Sequence, residues 1–143
     1  MGKTACIFGS TGLIGTQLNL LLSQNESYDK IIVFNRSAQS ITNPKTEQIV
    51  GEYVSLLEYQ NKLKAAEYYC CLGTTMKKAG TKEAFEFVDY HLPVSIGKLA
   101  VLNQVENVFV VSSIGAAAQS KNFYLRTKGR MEEEMRKAGI KNL

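Results

Sequence analysis

The chain has 143 residues, 45% of them hydrophobic and 21% charged, which suits one soluble globular domain with a full core. Its net charge of +4, from 17 basic and 13 acidic side chains, forms no basic stripe and argues against nucleic acid. His91 is the only histidine, so a histidine metal site or a Ser-His-Asp triad lacks material, and no apolar stretch could span a bilayer or serve as a signal peptide.

The first strand covers residues 4–8 and runs into a glycine-rich turn, Gly9-Ser10-Thr11-Gly12-Leu13-Ile14-Gly15, followed by an apolar helical run over 13–22. A dinucleotide pyrophosphate needs that order. Gly9 permits a sharp turn, and the bare Cα of Gly12 lets backbone approach phosphate. Gly15 lets the helix pack close to the strand, while the helix N-terminus offers unpaired N–H groups and a partial positive charge. The spacing is GxxGxxG in place of GxGxxG, and by itself it also fits a tight strand–helix turn that binds nothing.

Residues 30–35 form a second buried strand by length and β-branching. Residues 36–44 are polar and turn-like, 46–51 read as a weaker edge strand, 54–63 as helix and 67–72 as the next strand. A polar, lysine-bearing loop covers 73–80. Thr81 then caps a helix through about residue 90, with Pro93 kinking or restarting it toward Leu102. Residues 107–112 are the most apolar strand. A small-residue loop over 114–120 leads to a helix over about 123–137 that stops at Gly139, and 140–143 open one more strand. Strands alternating with helices predict an α/β fold, a Rossmann-like doubly wound parallel sheet truncated after about five strands. Adjacent cysteines on a strand face opposite ways, so Cys70 and Cys71 form neither a metal pair nor an ordinary disulfide. With Cys6 they read as buried, reduced thiols, which fits a cytoplasmic protein.

Ligands of such sheets sit at the C-terminal strand ends. The second strand ends in Asn35-Arg36-Ser37. An acidic residue there would bond an adenosine ribose and repel a 2′-phosphate. Arg36 would instead pair with that phosphate, favouring NADP(H) over NAD(H); a plain surface arginine is the alternative. The fourth strand ends in Leu72-Gly73-Thr74-Thr75, where Gly73 allows close approach and the threonines offer hydroxyls, or where a loop simply starts. The fifth ends in Ser112-Ser113. Tyr124 and Lys128 follow at i,i+4 on one helix face, about 5–6 Å apart at Cβ. An ammonium beside a phenol favours the phenolate, so Tyr124 could give or take a proton while Lys128 bonds a nicotinamide ribose and Ser113 holds a substrate oxygen. With 7 tyrosines and 13 lysines, chance supplies such a pair readily; only Tyr124 has the lysine, and it follows the strand ending in serines.

Taken in order, Gly9–Gly15, Asn35-Arg36-Ser37, Cys71-Leu72-Gly73-Thr74-Thr75, Ala84-Phe85-Glu86-Phe87-Val88-Asp89-Tyr90, Val111-Ser112-Ser113-Ile114-Gly115-Ala116 and Tyr124-Leu125-Arg126-Thr127-Lys128-Gly129 resemble an atypical short-chain dehydrogenase/reductase. The resemblance is to the Tat-interacting-protein-like, NAD(P)H-binding group and covers essentially the whole chain. It implies NADP(H) binding through Gly9, Ser10, Thr11, Gly12, Leu13 and Ile14, through Asn35, Arg36 and Ser37, through Leu72, Gly73 and Thr74, and through Lys128. It also implies Ser113, Tyr124 and Lys128 as the catalytic set. Asp89 stands where many relatives carry an asparagine that anchors a water relay to the lysine; it could serve so or be structural. Similar proteins continue for several dozen residues, so the expected unit is a single NAD(P)-binding Rossmann-like domain over 1–143 without most of the substrate region.

The expected activity is hydride transfer between NADP(H) and a small-molecule carbonyl or alcohol substrate. The alternative is a non-catalytic NADP(H)-binding regulatory module with a protein partner. No metal, nucleic acid or membrane is expected. The chain is expected as a monomer or homodimer, self-association being favoured if a buried strand is left unpaired at the sheet edge. Lys77 and Lys78 could touch an acidic substrate or cofactor phosphates, or simply be solvated.

Overall fold

Ala5, Cys6, Ile7 and Phe8 are all 0% exposed, and this apolar run makes β1 (Lys3–Phe8) the middle of the molecule. The computed structural model describes residues 2–143. β1 is flanked on one side by β2 (Tyr28–Asn35) and on the other by β4 (Glu67–Cys70), both parallel to it. β3 (Thr46–Val50) adds to β2, and β5 (Asn107–Val110) adds to β4. The sheet order is therefore β3-β2-β1-β4-β5, all parallel, a Rossmann-like arrangement.

Alternation along β1 splits the interior in two. Cys6 and Phe8 join Ile32, Phe34, Tyr68 and Cys70 on one face, covered by α4 (Leu92–Leu102) and α5 (Phe123–Lys137) through Ile96, Leu99, Met131 and Met135. Ala5 and Ile7 join Ile31 and Val33 on the other, covered by Leu18 and Leu22 of α1 (Leu13–Gln24). Helices thus lie on both faces, as the strand–helix alternation predicts. The edge position of β3 and the α5 limits also match the sequence reading, and Gly139 stops α5 with φ +90°. Residues 140–143 supply one parallel bridge, Asn107 to Asn142, beside β5.

Several elements differ from expectation. The helix expected over 54–63 is not an α-helix: Tyr53–Lys62 is a 3₁₀ segment broken at Ser55, and Tyr53 is drawn inward and donates from its hydroxyl to the Phe34 carbonyl at 3.2 Å. The lysine-bearing loop holds one helical turn, α2 (Met76–Ala79), because Thr75 accepts a hydrogen bond from the Lys78 N–H. Thr81 caps α3 (Lys82–Glu86) as expected, and α4 restarts at Leu92 with Pro93 in its first turn, where no helical partner for its N–H is needed, and runs to Leu102 as predicted. The unforeseen feature is the π turn, Phe87–His91, that joins α3 to α4. Cys6 and Cys70 are buried free thiols, whereas Cys71 is half-buried because its face carries only α1. Burial pushes the Cys70 thiol up to about 12.

At the N-terminal strand ends, buried Glu67 accepts hydrogen bonds from the Tyr28 hydroxyl at 2.6 Å, the Tyr69 hydroxyl at 2.9 Å and Lys3 Nζ at 2.9 Å. Burial raises its proton affinity, but these donors outweigh it and hold the carboxyl below its usual range. A depressed carboxylate contributes stability that is complete above the unfolded value, about 4.3, and lost as pH falls through the folded one. Glu67→Gln is expected to lower unfolding free energy at pH 7 by about 1–2 kcal/mol. The gap to the unsubstituted protein should narrow below about pH 4, which denaturant titrations at both pH values would measure.

Candidate functional site

The C-terminal ends of β1, β2 and β4 open into a cavity of about 360 Å³. Its floor is the glycine turn. Gly9 has φ +87°, and a Cβ there would stand 2.9 Å from the Cys71 carbonyl carbon, so the turn lies against the end of β4. Gly15 packs α1 onto the turn, since a Cβ would reach 2.0 Å from the Gly9 oxygen. Gly12 differs: its Cβ position meets only the Gly9 oxygen, at 3.6 Å, and otherwise faces open space. Gly12 also caps α1, whose first turn has no acidic residue and no side-chain cap, leaving N–H groups and the positive helix end free for an anion.

Gly9, Thr11, Gly12, Arg36, Leu72, Gly73 and Thr74 line this cavity, as the sequence predicts for a ligand site. Asn35 and Ser37 border a smaller neighbour of about 120 Å³, which shares Gly9, Thr11 and Arg36. Arg36 is exposed and makes no ion pair among the described residues. Asn35 acts as a strut: its Oδ1 accepts from Ser10 Oγ at 2.8 Å and its Nδ2 donates to Gln48 Oε1 at 2.8 Å. The same Gln48 oxygen accepts from Gln39 N–H at 2.8 Å, and Gln48 Nε2 donates back to the Gln39 carbonyl at 3.1 Å. Ser10 is thus engaged with Asn35, and the side chains of Leu13 and Ile14 point to solvent, 86% and 51% exposed; only backbone groups of that pair remain for a ligand.

Sequence reasoning missed the opposite wall. Glu52, Tyr53 and Val54 come from the segment after β3, and Phe87, Val88 and Leu92 from the π turn and the start of α4. Burial pushes the Tyr53 hydroxyl well above the usual phenol range, and it stays neutral while donating to the Phe34 carbonyl.

Ser113, Tyr124 and Lys128 lie outside the cavity lining. Lys128 Nζ stands 5.9 Å from the Tyr124 ring centre, so i,i+4 spacing does bring the two side chains together. Its ion pair, however, is with Asp89, at 2.6 Å. The Tyr124 ring packs on Phe85 at 5.4 Å, and Ser113 Oγ makes only a long 3.4 Å bond to the Ile114 carbonyl. No hydrogen bond links Ser113 to Tyr124 among the described residues. No three metal-binding side chains cluster among the described residues, and no helix there is long and apolar enough to cross a membrane.

No family model matches the chain. It is 33% identical over 136 residues to Protein FMP52-1, mitochondrial, of Scheffersomyces stipitis, a match covering 92% of this chain and 60% of that protein. It is 30% identical over 139 residues to Protein FMP52, mitochondrial, of Candida albicans, covering 94% and 61%. The chain thus spans about three fifths of the length of these curated relatives. Among solved structures, the Bordetella bronchiseptica enzyme WbmG in complex with NAD is 12% identical with a TM-score of 0.77, covering 98% of this chain and 51% of that one. The Helicobacter pylori ADP-L-glycero-D-manno-heptose-6-epimerase is 17% identical with a TM-score of 0.78, covering 99% and 53%. These structures share the fold of this chain. The relatives' names overturn the cytoplasmic expectation, since they are mitochondrial proteins. Reduced thiols report only a compartment without disulfide formation, which does not single out the cytosol.

Gly15→Ala is expected to cost about 2 kcal/mol or more, because backbone must move to admit the methyl group. Gly12→Ala should leave the unfolding free energy within about 0.5 kcal/mol of the unsubstituted value. Thermal unfolding of the two variants would check the contrast.

Proposed function

We propose that the chain is the cofactor-binding half of an NADP(H)-dependent oxidoreductase of the short-chain dehydrogenase/reductase type, with NADP(H) preferred over NAD(H). The observation that carries this reading is the convergence of an uncapped helix N-terminus, the open side of Gly12 and the unpaired Arg36 on one cavity. Those residues fit a dinucleotide. The turn and the α1 N–H groups suit a pyrophosphate, while Tyr53, Val54 and Phe87 offer an apolar wall for a purine. Arg36, with Ser37 beside it, suits a 2′-phosphate on the ribose. The narrower likeness to Tat-interacting-protein-like proteins rests on motif order. A mitochondrial setting accords with the names of the FMP52 relatives.

A bound nicotinamide would supply the hydride acceptor or donor. Tyr124 would give or take the proton at a carbonyl or alcohol oxygen through its hydroxyl, and Ser113 would hold that oxygen. Lys128 would bond the adjoining ribose from beneath Gly73. A second reading, a regulatory or protein-interaction module that binds NADP(H) without turnover, is favoured by one observation: the Lys128 ammonium is paired with Asp89, and no hydrogen bond joins it to Tyr124 among the described residues.

Calorimetric titration tests the cofactor site that both readings share, and turnover separates them. NADPH is expected to bind in the micromolar range and NADH about tenfold or more weakly, with Arg36→Ala removing most of the difference. Gly12→Ala should weaken both nucleotides while the fold persists. If neither nucleotide binds the unsubstituted protein, the reading fails. With a panel of carbonyl compounds, Tyr124→Phe should slow NADPH oxidation by about 10²–10⁴-fold. Tight NADPH binding without oxidation by any of them would favour the regulatory module.

A further inference from the structure

Arg36 is exposed and belongs to residues 36–45, which connect β2 to β3 without helix or strand. No carboxylate among the described residues pairs with its guanidinium. Such an arginine is only as well placed as the backbone that carries it. One side chain, Gln48 of β3, holds that backbone on both sides. Gln48 Oε1 accepts from Asn35 Nδ2 and from the Gln39 N–H, both at 2.8 Å. Gln48 Nε2 donates to the Gln39 carbonyl at 3.1 Å, so a single amide satisfies both backbone groups of Gln39. The Gln39 side chain turns back in its turn, Nε2 donating to the Ser37 carbonyl at 3.3 Å and to Ser37 Oγ at 3.2 Å.

Strand register makes the clamp possible. Gln48 lies opposite Val33, two residues short of Asn35, and side chains of a strand alternate between faces. Gln48 therefore shares the α1 face with Asn35 and Thr46, and the Thr46 hydroxyl donates to Asn19 Oδ1 of α1 at 3.2 Å. From Asn35 the contacts continue to the glycine turn, since Asn35 Oδ1 accepts from Ser10 Oγ at 2.8 Å. Ser10, Asn35, Gln48 and Gln39 thus tie the turn suited to a pyrophosphate to the loop that carries Arg36. In a phosphorylated dinucleotide the pyrophosphate and the 2′-phosphate hang on one ribose, so covalent structure limits their separation. Two anion sites recognise both only if their own separation is held.

We propose that Gln48 is a positioning residue for cofactor discrimination: by clamping the backbone on either side of Arg36 to the glycine turn, it sets the guanidinium at the distance of a ribose 2′-phosphate. This role rests on the reading of the cavity as a dinucleotide site with Arg36 on the 2′-phosphate. Gln48 lines neither cavity and acts through Asn35 and Gln39. Without the clamp the loop must be ordered at each binding event. That cost falls on NADPH, because the 2′-phosphate alone uses Arg36.

The test compares Gln48→Met, Arg36→Ala and the double variant with the unsubstituted protein by calorimetric titration with NADPH and, separately, NADH. Methionine keeps the length of glutamine and removes its hydrogen bonds. Gln48→Met is expected to weaken NADPH about fivefold and to leave NADH unchanged. In the Arg36→Ala background the same substitution should change neither nucleotide. Hydrogen exchange followed by NMR reads the clamp without any ligand. The Gln39 amide is expected to be protected in the unsubstituted protein and to lose that protection in Gln48→Met. The proposal is overturned if Gln48→Met weakens both nucleotides alike, as a general structural role would, or weakens neither. It is equally overturned if the NADPH loss persists in full without Arg36, or if the Gln39 amide stays protected in Gln48→Met. Should Gln48→Met fail to fold, Gln48→Thr, which suits an edge strand and is too short to reach Gln39, takes its place in every comparison. If the unsubstituted protein binds neither nucleotide, the cofactor reading fails by itself, and protection of the Gln39 amide still decides whether Gln48 orders the Arg36 loop.

Discussion

The contact of Gly15 with the Gly9 carbonyl sets the geometry on which the site depends. No residue with a side chain could allow α1 so close to the end of β1 without displacing backbone. That approach determines where the first N–H groups of α1 point. It also brings the turn against the end of β4, where a Gly9 side chain would strike Cys71. A pocket for an anion follows from backbone alone, before any charged side chain is considered.

Topology places this contact where a crevice must form. From β1 the chain moves through α1 to β2 and β3 on one side; later it returns to β4 and β5 on the other. Right-handed crossovers put the connecting helices on opposite faces: α1 on one, α4 and α5 on the other. Where the direction reverses, no helix covers the strand ends, and the loops after β1, β2 and β4 border a gap. The two halves of the site differ in finish. The glycine turn, Arg36 and the Tyr53–Phe87 wall enclose a cavity, whereas Ser113 and Tyr124 lie beyond its lining.

Much of this was legible one residue at a time. The apolar runs of β1 and β2 and the helix α5 follow from periodicity and composition. So does the i,i+4 neighbourhood of Tyr124 and Lys128, since helical spacing alone requires it. The sequence was silent where a side chain had more than one polar partner within reach. Asn35 ends β2 where a ligand contact was expected, yet Ser10 and Gln48 occupy it, because an edge strand far along the chain brings Gln48 alongside. Lys128 was read against Tyr124, four residues away, while its buried partner lies thirty-nine residues earlier in a turn whose π geometry no local pattern announces.

By itself, then, the amino-acid sequence determined the strand and helix alternation, the parallel sheet and the glycine turn, since backbone sterics and hydrophobic period act over a few neighbours. It also placed Arg36 at the end of β2 for the same reason. Only the tertiary structure decided which polar groups serve as struts and which are left for a ligand. It brought Glu52, Tyr53, Phe87 and Val88 to one wall, and it committed the Lys128 charge to Asp89. Those choices depend on burial and on partners distant in the chain, and both exist only once the two faces of the sheet have been covered.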